Sequence, residues 1–172
     1  MEYSVEYSKR KNITISVKGG VLVVKAPHKT SRESIEKVLM QHRRWIETHL
    51  ERAKERAQLE SELDGERISE LKRAAREYLT PLTAYYASIM GVRYGRISIS
   101  SARTRFGSCS SRGNISYSYR LMLYPDDAIR YVVVHELAHI REMNHSARFY
   151  SIVASVFPDY ERRRALLKKV PK

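Results

Sequence analysis

The stretch Pro125-Asp126-Asp127-Ala128-Ile129-Arg130-Tyr131-Val132-Val133-Val134-His135-Glu136-Leu137-Ala138-His139-Ile140 decides how this chain is read. Pro125 followed by two acidic residues marks a helix start, because carboxylates there complement the helix dipole. Ile129, Val133, Leu137 and Ile140 then repeat as one apolar stripe, while Tyr131, Val132, His135 and His139 fall on another side. Such a helix would be buried on one face and line a cavity with the other. His135 and His139, four residues apart, can hold one ion from the same side, with Glu136 about a quarter-turn round as a general base. A core helix with two satisfied histidines is the plainer account of either histidine alone. The complete His-Glu-x-x-His order instead points to a zinc hydrolase site.

An open catalytic zinc site takes three protein ligands and leaves one position for water, so a third ligand must follow the helix. His145 is the nearest candidate. Its offset from His139 matches the metzincin pattern His-x-x-Gly-x-x-His, yet Glu142 stands where that pattern turns the chain on glycine. The turn is expected instead at Met143-Asn144, since asparagine enters left-handed conformations at modest cost. Ser146 would then cap a second helix. Phe149, Ile152, Val153 and Val156 recur at helical spacing up to Pro158, which would pack this helix on the first and hold His145 at the metal. Glu142 is the rival third ligand, although on a continuing helix it would point along the surface. Cys109 could also ligate, but its plainer role is a small buried residue in a turn.

These residues and those around them carry a resemblance that runs along nearly the whole chain. Arg105-Phe106-Gly107-Ser108-Cys109-Ser110, Val132-Val133-Val134-His135-Glu136-Leu137-Ala138-His139, Asn144-His145-Ser146 and Phe149 resemble the YgjP-like metallopeptidase-domain family. In the amino-terminal half, Ser8-Lys9-Arg10-Lys11, the Ala26-Pro27 step and Trp45-Ile46 look similar and occur in the family's order. The resemblance implies a zincin-like fold, metal ligation by His135, His139 and His145, and Glu136 as the catalytic glutamate. One departure is Phe106, where the family more often has tryptophan; phenylalanine fills a similar apolar slot.

Before this region, Tyr3, Val5 and Tyr7 alternate, then Ile13, Ile15 and Val17, then Gly19-Gly20, then Val21 to Val24, which reads as strands around a tight hairpin. Thr30-Ser31-Arg32-Glu33 has the form of a capping box. Ile35, Val38, Leu39, His42, Ile46, His49 and Leu50 then follow the stripe of a long helix, with His42 and His49 as packing residues. Charge is dense from Glu47 to Glu70 and broken at Asp64-Gly65, which places a boundary there. Residues 1–64 are thus expected to form a β-hairpin and long helix, and residues 65–172 the catalytic part. Leu71, Ala75, Tyr78, Leu82, Tyr85 and Ile89 continue a helical pattern to Gly91, with Pro81 forcing a kink or a fresh start. Ile97 and Ile99 read as a strand, Ser101 to Gly113 as a loop, and Ile115, Tyr117 and Tyr119 as a second strand before Leu121 and Leu123. The expected class is α+β, with a small sheet packed on the helix that carries His135 and Glu136.

The chain has 172 residues and one cysteine, and its net charge is +13 at pH 7. That length buries one sizeable core, or a core and a smaller annex. The lone Cys109 excludes an internal disulfide and fits a reducing compartment, and no stretch has the length of a signal peptide or membrane span, so a cytoplasmic location is expected. The charge would draw phosphates, nucleic acid or acidic substrates to the surface, yet most of it lies on solvated helix faces. Arg103, Arg105 and Arg112 differ, because they cluster in the Ser- and Gly-rich loop that the fold would bring near the metal. Arg103 and Arg105 there could bind substrate by clamping a carboxylate, a phosphate or a developing oxyanion, and Arg105 could equally pin the loop to a carbonyl.

The leading expectation is a zinc-dependent metallopeptidase acting on peptides or proteins, in which Glu136 deprotonates a metal-activated water and then protonates the leaving amine. Manganese, nickel or cobalt would suit the same three nitrogens. The alternatives are a nucleotide phosphohydrolase, such as a nucleoside triphosphate pyrophosphatase, whose basic loop holds the phosphates, and a nucleic-acid-associated module with a structural zinc. The first lacks a phosphate-binding glycine loop. An intact glutamate between open-site ligands counts against the second, since structural sites close on four ligands.

Overall fold

The structure, a computed structural model, describes residues 2–168. The chain divides into two compact units, Met1–Leu63 and Asp64–Lys172.

In the first unit, β2 (Thr14–Lys18) and β3 (Val21–Pro27) form the expected hairpin. Its two-residue turn needs positive φ at both positions, and Gly19 (φ 56°) and Gly20 (φ 81°) supply it without a Cβ clash. The hairpin belongs to a larger sheet, because β1 (Tyr3–Ser8) pairs parallel to β3, giving the order β1-β3-β2. A parallel pairing leaves no turn signal between its partners, so alternation in Tyr3, Val5 and Tyr7 shows a strand but not its neighbour. The expected long helix is two helices, α1 (Arg32–Gln41) and α2 (Arg43–Ser61), parted at His42 (φ −104°, ψ 15°). Neither proline nor glycine announces this break, and its hydrogen bonds continue through it: His42 N–H donates to Val38 O and Ile46 N–H to His42 O. The cap falls on Ser31, whose hydroxyl accepts from Ser34 N–H at 3.2 Å, rather than on a Thr30–Glu33 box. His42 is exposed instead of packed, and His49 stacks on Trp45 at 3.9 Å. Leu22, Val24 and Ala26 from one face of β3 make the core with Ile35, Leu39 and Ile46.

The second unit begins at Asp64, whose carboxylate caps α3 (Gly65–Met90) by accepting from Arg67 N–H at 2.8 Å. The helix continues through Pro81 with no fresh start. Pro81 and Glu77 are both exposed, so the carbonyl that proline leaves unbonded can turn to water. The buried face is also rotated from the expected one: Leu79, Tyr86 and Met90 point inward with Leu71, Ala75 and Leu82, while Tyr78, Tyr85 and Ile89 are exposed. Both sets repeat at three and four, so periodicity alone does not choose between them.

Three strands follow in the order β4-β6-β5: β4 (Ile97–Ser100) parallel to β6 (Ile115–Ser118), and β5 (Gly107–Cys109) antiparallel to it. β5 lies inside the expected Ser101–Gly113 loop, because Gly-Ser-Cys offers neither alternation nor a β-branched side chain to read. Tyr119 begins a 3₁₀ turn to Leu123 rather than ending a strand. Then come α4 (Asp126–Ala138), α5 (Ala147–Val156) and α6 (Tyr160–Leu166). Beyond Arg130, α4 is enclosed on nearly every side: Val132 to Val134 are all buried, and so are Leu137 and Ala138. The architecture is α+β, with a small sheet against the helix that carries His135 and Glu136. Among the described residues, no helix is long and apolar enough to cross a membrane.

Ile46 is fully buried in the small core of the first unit. Ile46→Ala should therefore lower the stability of that unit by about 2–5 kcal/mol, read as an earlier unfolding midpoint in denaturant.

Candidate metal centre

The last turn of α4 presents His135 and Glu136, and His139 forms its C-cap (φ −61°, ψ −20°). The helix closes there in a tight turn, with Ile140 N–H donating to Leu137 O at 3.1 Å and the Arg141 and Glu142 N–H groups to Ala138 O at 3.0 Å. The expected left-handed turn at Asn144 does not occur, since no described residue other than glycine has positive φ. The chain instead turns without any positive φ, with Ser146 N–H donating to Asn144 O at 2.8 Å. Ser146 then caps α5, its hydroxyl accepting from Phe149 N–H at 3.3 Å. Phe149 is fully buried beneath the site. Its ring centre lies 4.8, 4.6 and 4.8 Å from those of His135, His139 and His145.

The three histidines converge, each offering one nitrogen within 4.8 Å of the others. The Nε2 atoms of His135 and His145 are 3.1 Å apart. Two nitrogens at zinc's bond length and tetrahedral angle would sit roughly 3.3 Å apart, so this spacing fits a shared ion. Two of the other ring nitrogens have partners. Nδ1 of His135 is 3.3 Å from the Tyr131 hydroxyl, and Nδ1 of His139 donates to the Glu142 carbonyl at 3.2 Å. A carbonyl can only accept, so His139 carries its proton on Nδ1 and leaves Nε2 for the metal, and the Tyr131 hydroxyl orients the His135 ring. Burial pushes the His135 imidazole down to about 3, with His139, His145 and Arg164 acting in the same direction. His139 is also lowered by burial, against its carbonyl bond. Both rings are held neutral, the form that ligates.

Glu136 is only 5% exposed, and burial pushes its carboxyl up to about 8, while Arg105 pulls it the other way. The carboxyl packs against Gly107 of β5. A Cβ at Gly107 would overlap Glu136 Oε1 and stand 2.6 Å from its Cγ and 2.7 Å from its Cδ. A larger residue at that position would therefore displace the Glu136 side chain. The Glu142 side chain turns away to Arg148 at 3.9 Å and does not join the histidine cluster. Cys109 is half-buried with its thiol pushed up, chiefly by burial and then by Glu136, and it too lies outside the cluster. Arg103 and Arg105 are exposed on the loop before β5, with Arg105 close enough for its charge to act on Glu136. Arg112 sits at the tip of the β5–β6 hairpin. Phe106 packs edge-on against Tyr124 at 4.7 Å, so the smaller ring has an aromatic neighbour. The sequence alone gave no role to Gly107, to Tyr131 as a histidine partner, or to Phe149 as the ring beneath the site. Only the family match Gly107-Ser108-Cys109 and the Tyr131–His135 spacing of one helical turn hinted at them.

A buried carboxyl and three converging imidazoles, two of them held neutral by burial, point to a hydrolase that works through a metal ion. The chain belongs to the YgjP-like metallopeptidase-domain family, whose profile matches residues 11–70 and 66–170. Among solved structures, it is similar to the metallopeptidase zymogen of Pyrococcus abyssi abylysin, at 24% identity over 51% of this chain and 87% of that one, with a TM-score of 0.46. It is also similar to the metallopeptidase zymogen of Methanocaldococcus jannaschii jannalysin, at 19% identity over 52% and 91% of the two chains, with a TM-score of 0.45. No curated protein matches.

Two outcomes are expected. Gly107→Ala should push the Glu136 carboxyl off β5, lowering turnover by roughly 100-fold while bound metal, counted by elemental analysis, stays the same. The second concerns the metal-free protein. Because the folded pKa of Glu136 is raised, its contribution to stability is fully present below pH 4.5 and is lost as pH rises through about 8. The lowered His135 acts oppositely, contributing above pH 6.5 and losing that contribution on acidification. Glu136→Gln should thus gain stability relative to wild type, on the order of a few kcal/mol, as pH rises from 5 to 9 in paired denaturation curves. A pH-independent difference would contradict the burial argument.

Proposed function

We propose that this protein is a zinc-dependent metallopeptidase in which His135, His139 and His145 hold the ion and Glu136 is the general base. The observation that carries this reading is the gathering of three imidazoles over Phe149 beside a buried, protonatable carboxyl. A zinc ion bound there would acidify a water molecule and polarise the scissile carbonyl. The chain's own part begins with Tyr131 and the Glu142 carbonyl, which hold the ligating rings in one orientation. Glu136, with its proton affinity raised by burial, is suited to take a proton from water and return it to the leaving amine. Gly107 lets that carboxyl lie against β5, and Arg105 limits how far its pKa rises.

Arg103 and Arg105 are proposed as substrate-binding residues at the rim, where a guanidinium could meet a peptide carbonyl or carboxylate. Zinc is preferred because three imidazoles suit it, and other divalent transition metals would fit the same donors. In this reading, catalysis belongs to residues 65–172 and residues 1–64 form an annex. Membership in a metallopeptidase family supports an amide over a phosphoanhydride as the bond cleaved.

Zinc-loaded wild type should release fragments from a mixed pool of peptides and unfolded proteins, read by mass spectrometry. Glu136→Gln should keep its zinc and lose this turnover by at least ~1,000-fold. A chelator should abolish cleavage and added zinc restore it. Nucleoside monophosphates appearing from triphosphates in the same pool, with no peptide fragments, would instead establish a phosphohydrolase.

A further inference from the structure

Three consecutive arginines on α6 have different surroundings. Arg162 pairs with Asp127 at 2.9 Å and Asp159 at 2.7 Å, and Arg163 pairs with the same two residues at 2.5 and 2.8 Å. Arg164 is half-buried, and among the described residues no carboxylate pairs with it. Its guanidinium donates from Nη1 to the Tyr150 hydroxyl at 3.4 Å and lies 5.7 Å from the centre of that ring. Tyr150 in turn stacks on Tyr160 at 5.5 Å, and its ring centre is 6.3 Å from that of His145. The Arg164 charge reaches the site, where it opposes protonation of His135 and favours ionisation of Tyr131.

A guanidinium cannot shed its proton to escape partial burial, so a missing anion there is a standing electrostatic cost. The surrounding groups do not supply one. Tyr150, Tyr131 and Tyr160 are phenols, Glu161 one turn back on α6 is exposed and makes no ion pair with Arg164, and the neighbouring acids Asp127 and Asp159 are held by Arg162 and Arg163. Tyr150 fixes the fork of the guanidinium near the exposed His145 side of the cluster, which leaves donors for a planar, bidentate partner. Arg164 makes no hydrogen bond to the three histidines, so it stands beyond the reacting bond rather than at it.

We propose that Arg164, held by Tyr150, binds a carboxylate of the peptide substrate close to the scissile bond, making peptides that present a carboxylate there the preferred substrate class. The carboxylate is either an Asp or Glu side chain or the free carboxyl terminus of the peptide. This inference rests on the peptidase reading given above. Arg164 is a substrate-recognition residue, and Tyr150 is a positioning residue for it.

The test compares zinc-loaded wild type, Arg164→Gln and Arg164→Lys on a peptide series of one length. The series contains an Asn peptide with an amidated end, its Asp counterpart, and the Asn peptide with a free carboxyl end. Wild type should favour one of the two carboxylate peptides by about tenfold or more in kcat/KM, and which one it favours identifies the source of the carboxylate. In Arg164→Gln that ratio should collapse towards one, mainly through KM for the carboxylate peptide, with zinc content and melting temperature unchanged. Arg164→Lys should recover part of it. Absence of a preference in wild type, or an equal loss on all three peptides, would overturn the proposal. The same series is then titrated into zinc-loaded Glu136→Gln with and without Arg164→Gln. Tighter binding of a carboxylate peptide that requires Arg164 sustains the anion site even if wild type cleaves nothing, in which case the peptidase reading alone fails. Equal binding, or none, rejects the site itself.

Discussion

One buried ring, Phe149, lies against all three histidines and joins the end of α4 to the start of α5. His135 and His139 are set by helical geometry alone, but His145 sits on a separate segment whose position depends on packing. Phe149 supplies that packing, and the Ser146 cap fixes the first turn of α5 from which it projects. The ring is apolar and fully buried, so it also limits water beneath the cluster. Loss of this contact would cost the third nitrogen before it cost the fold.

The same burial sets the electrostatics. Desolvation holds His135 and His139 in the neutral form and holds a proton on Glu136, two effects that oppose one another in their dependence on pH. A metal ion would change this balance, since it needs neutral imidazoles and favours an ionised carboxylate nearby. The cluster in the metal-free protein is thus prepared for a cation at a cost in stability. Arg105 and Arg164 act on this balance from two sides, one on Glu136 and the other on His135.

Much of this was legible in the sequence, for reasons that can be located. The helix from Pro125, the cap at Ser146 and the shared face of His135 and His139 follow from spacings fixed by helical geometry, and the apolar stripe through Phe149 marked the packing that brings in His145. The Gly19-Gly20 hairpin follows from turn chemistry. What was not legible depended on contacts between segments far apart in sequence. The parallel pairing of β1 with β3, the rotation of α3 towards Leu79 and Tyr86, and the strand Gly107–Cys109 all fall in this group. The glycine at 107 shows the limit clearly. Its reason is the Glu136 carboxyl, 29 residues further along the chain, which no local pattern at β5 announces.

X-ray absorption spectroscopy of the zinc-loaded protein tests the central claim most directly, because it reports the atoms around the ion without reference to any substrate. Three imidazole nitrogens and one further light atom at about 2.0–2.1 Å are predicted, the signature of an open three-histidine site. A sulfur scatterer at about 2.3 Å would bring Cys109 into the shell, and two imidazoles instead of three would remove His145; either result would contradict the account.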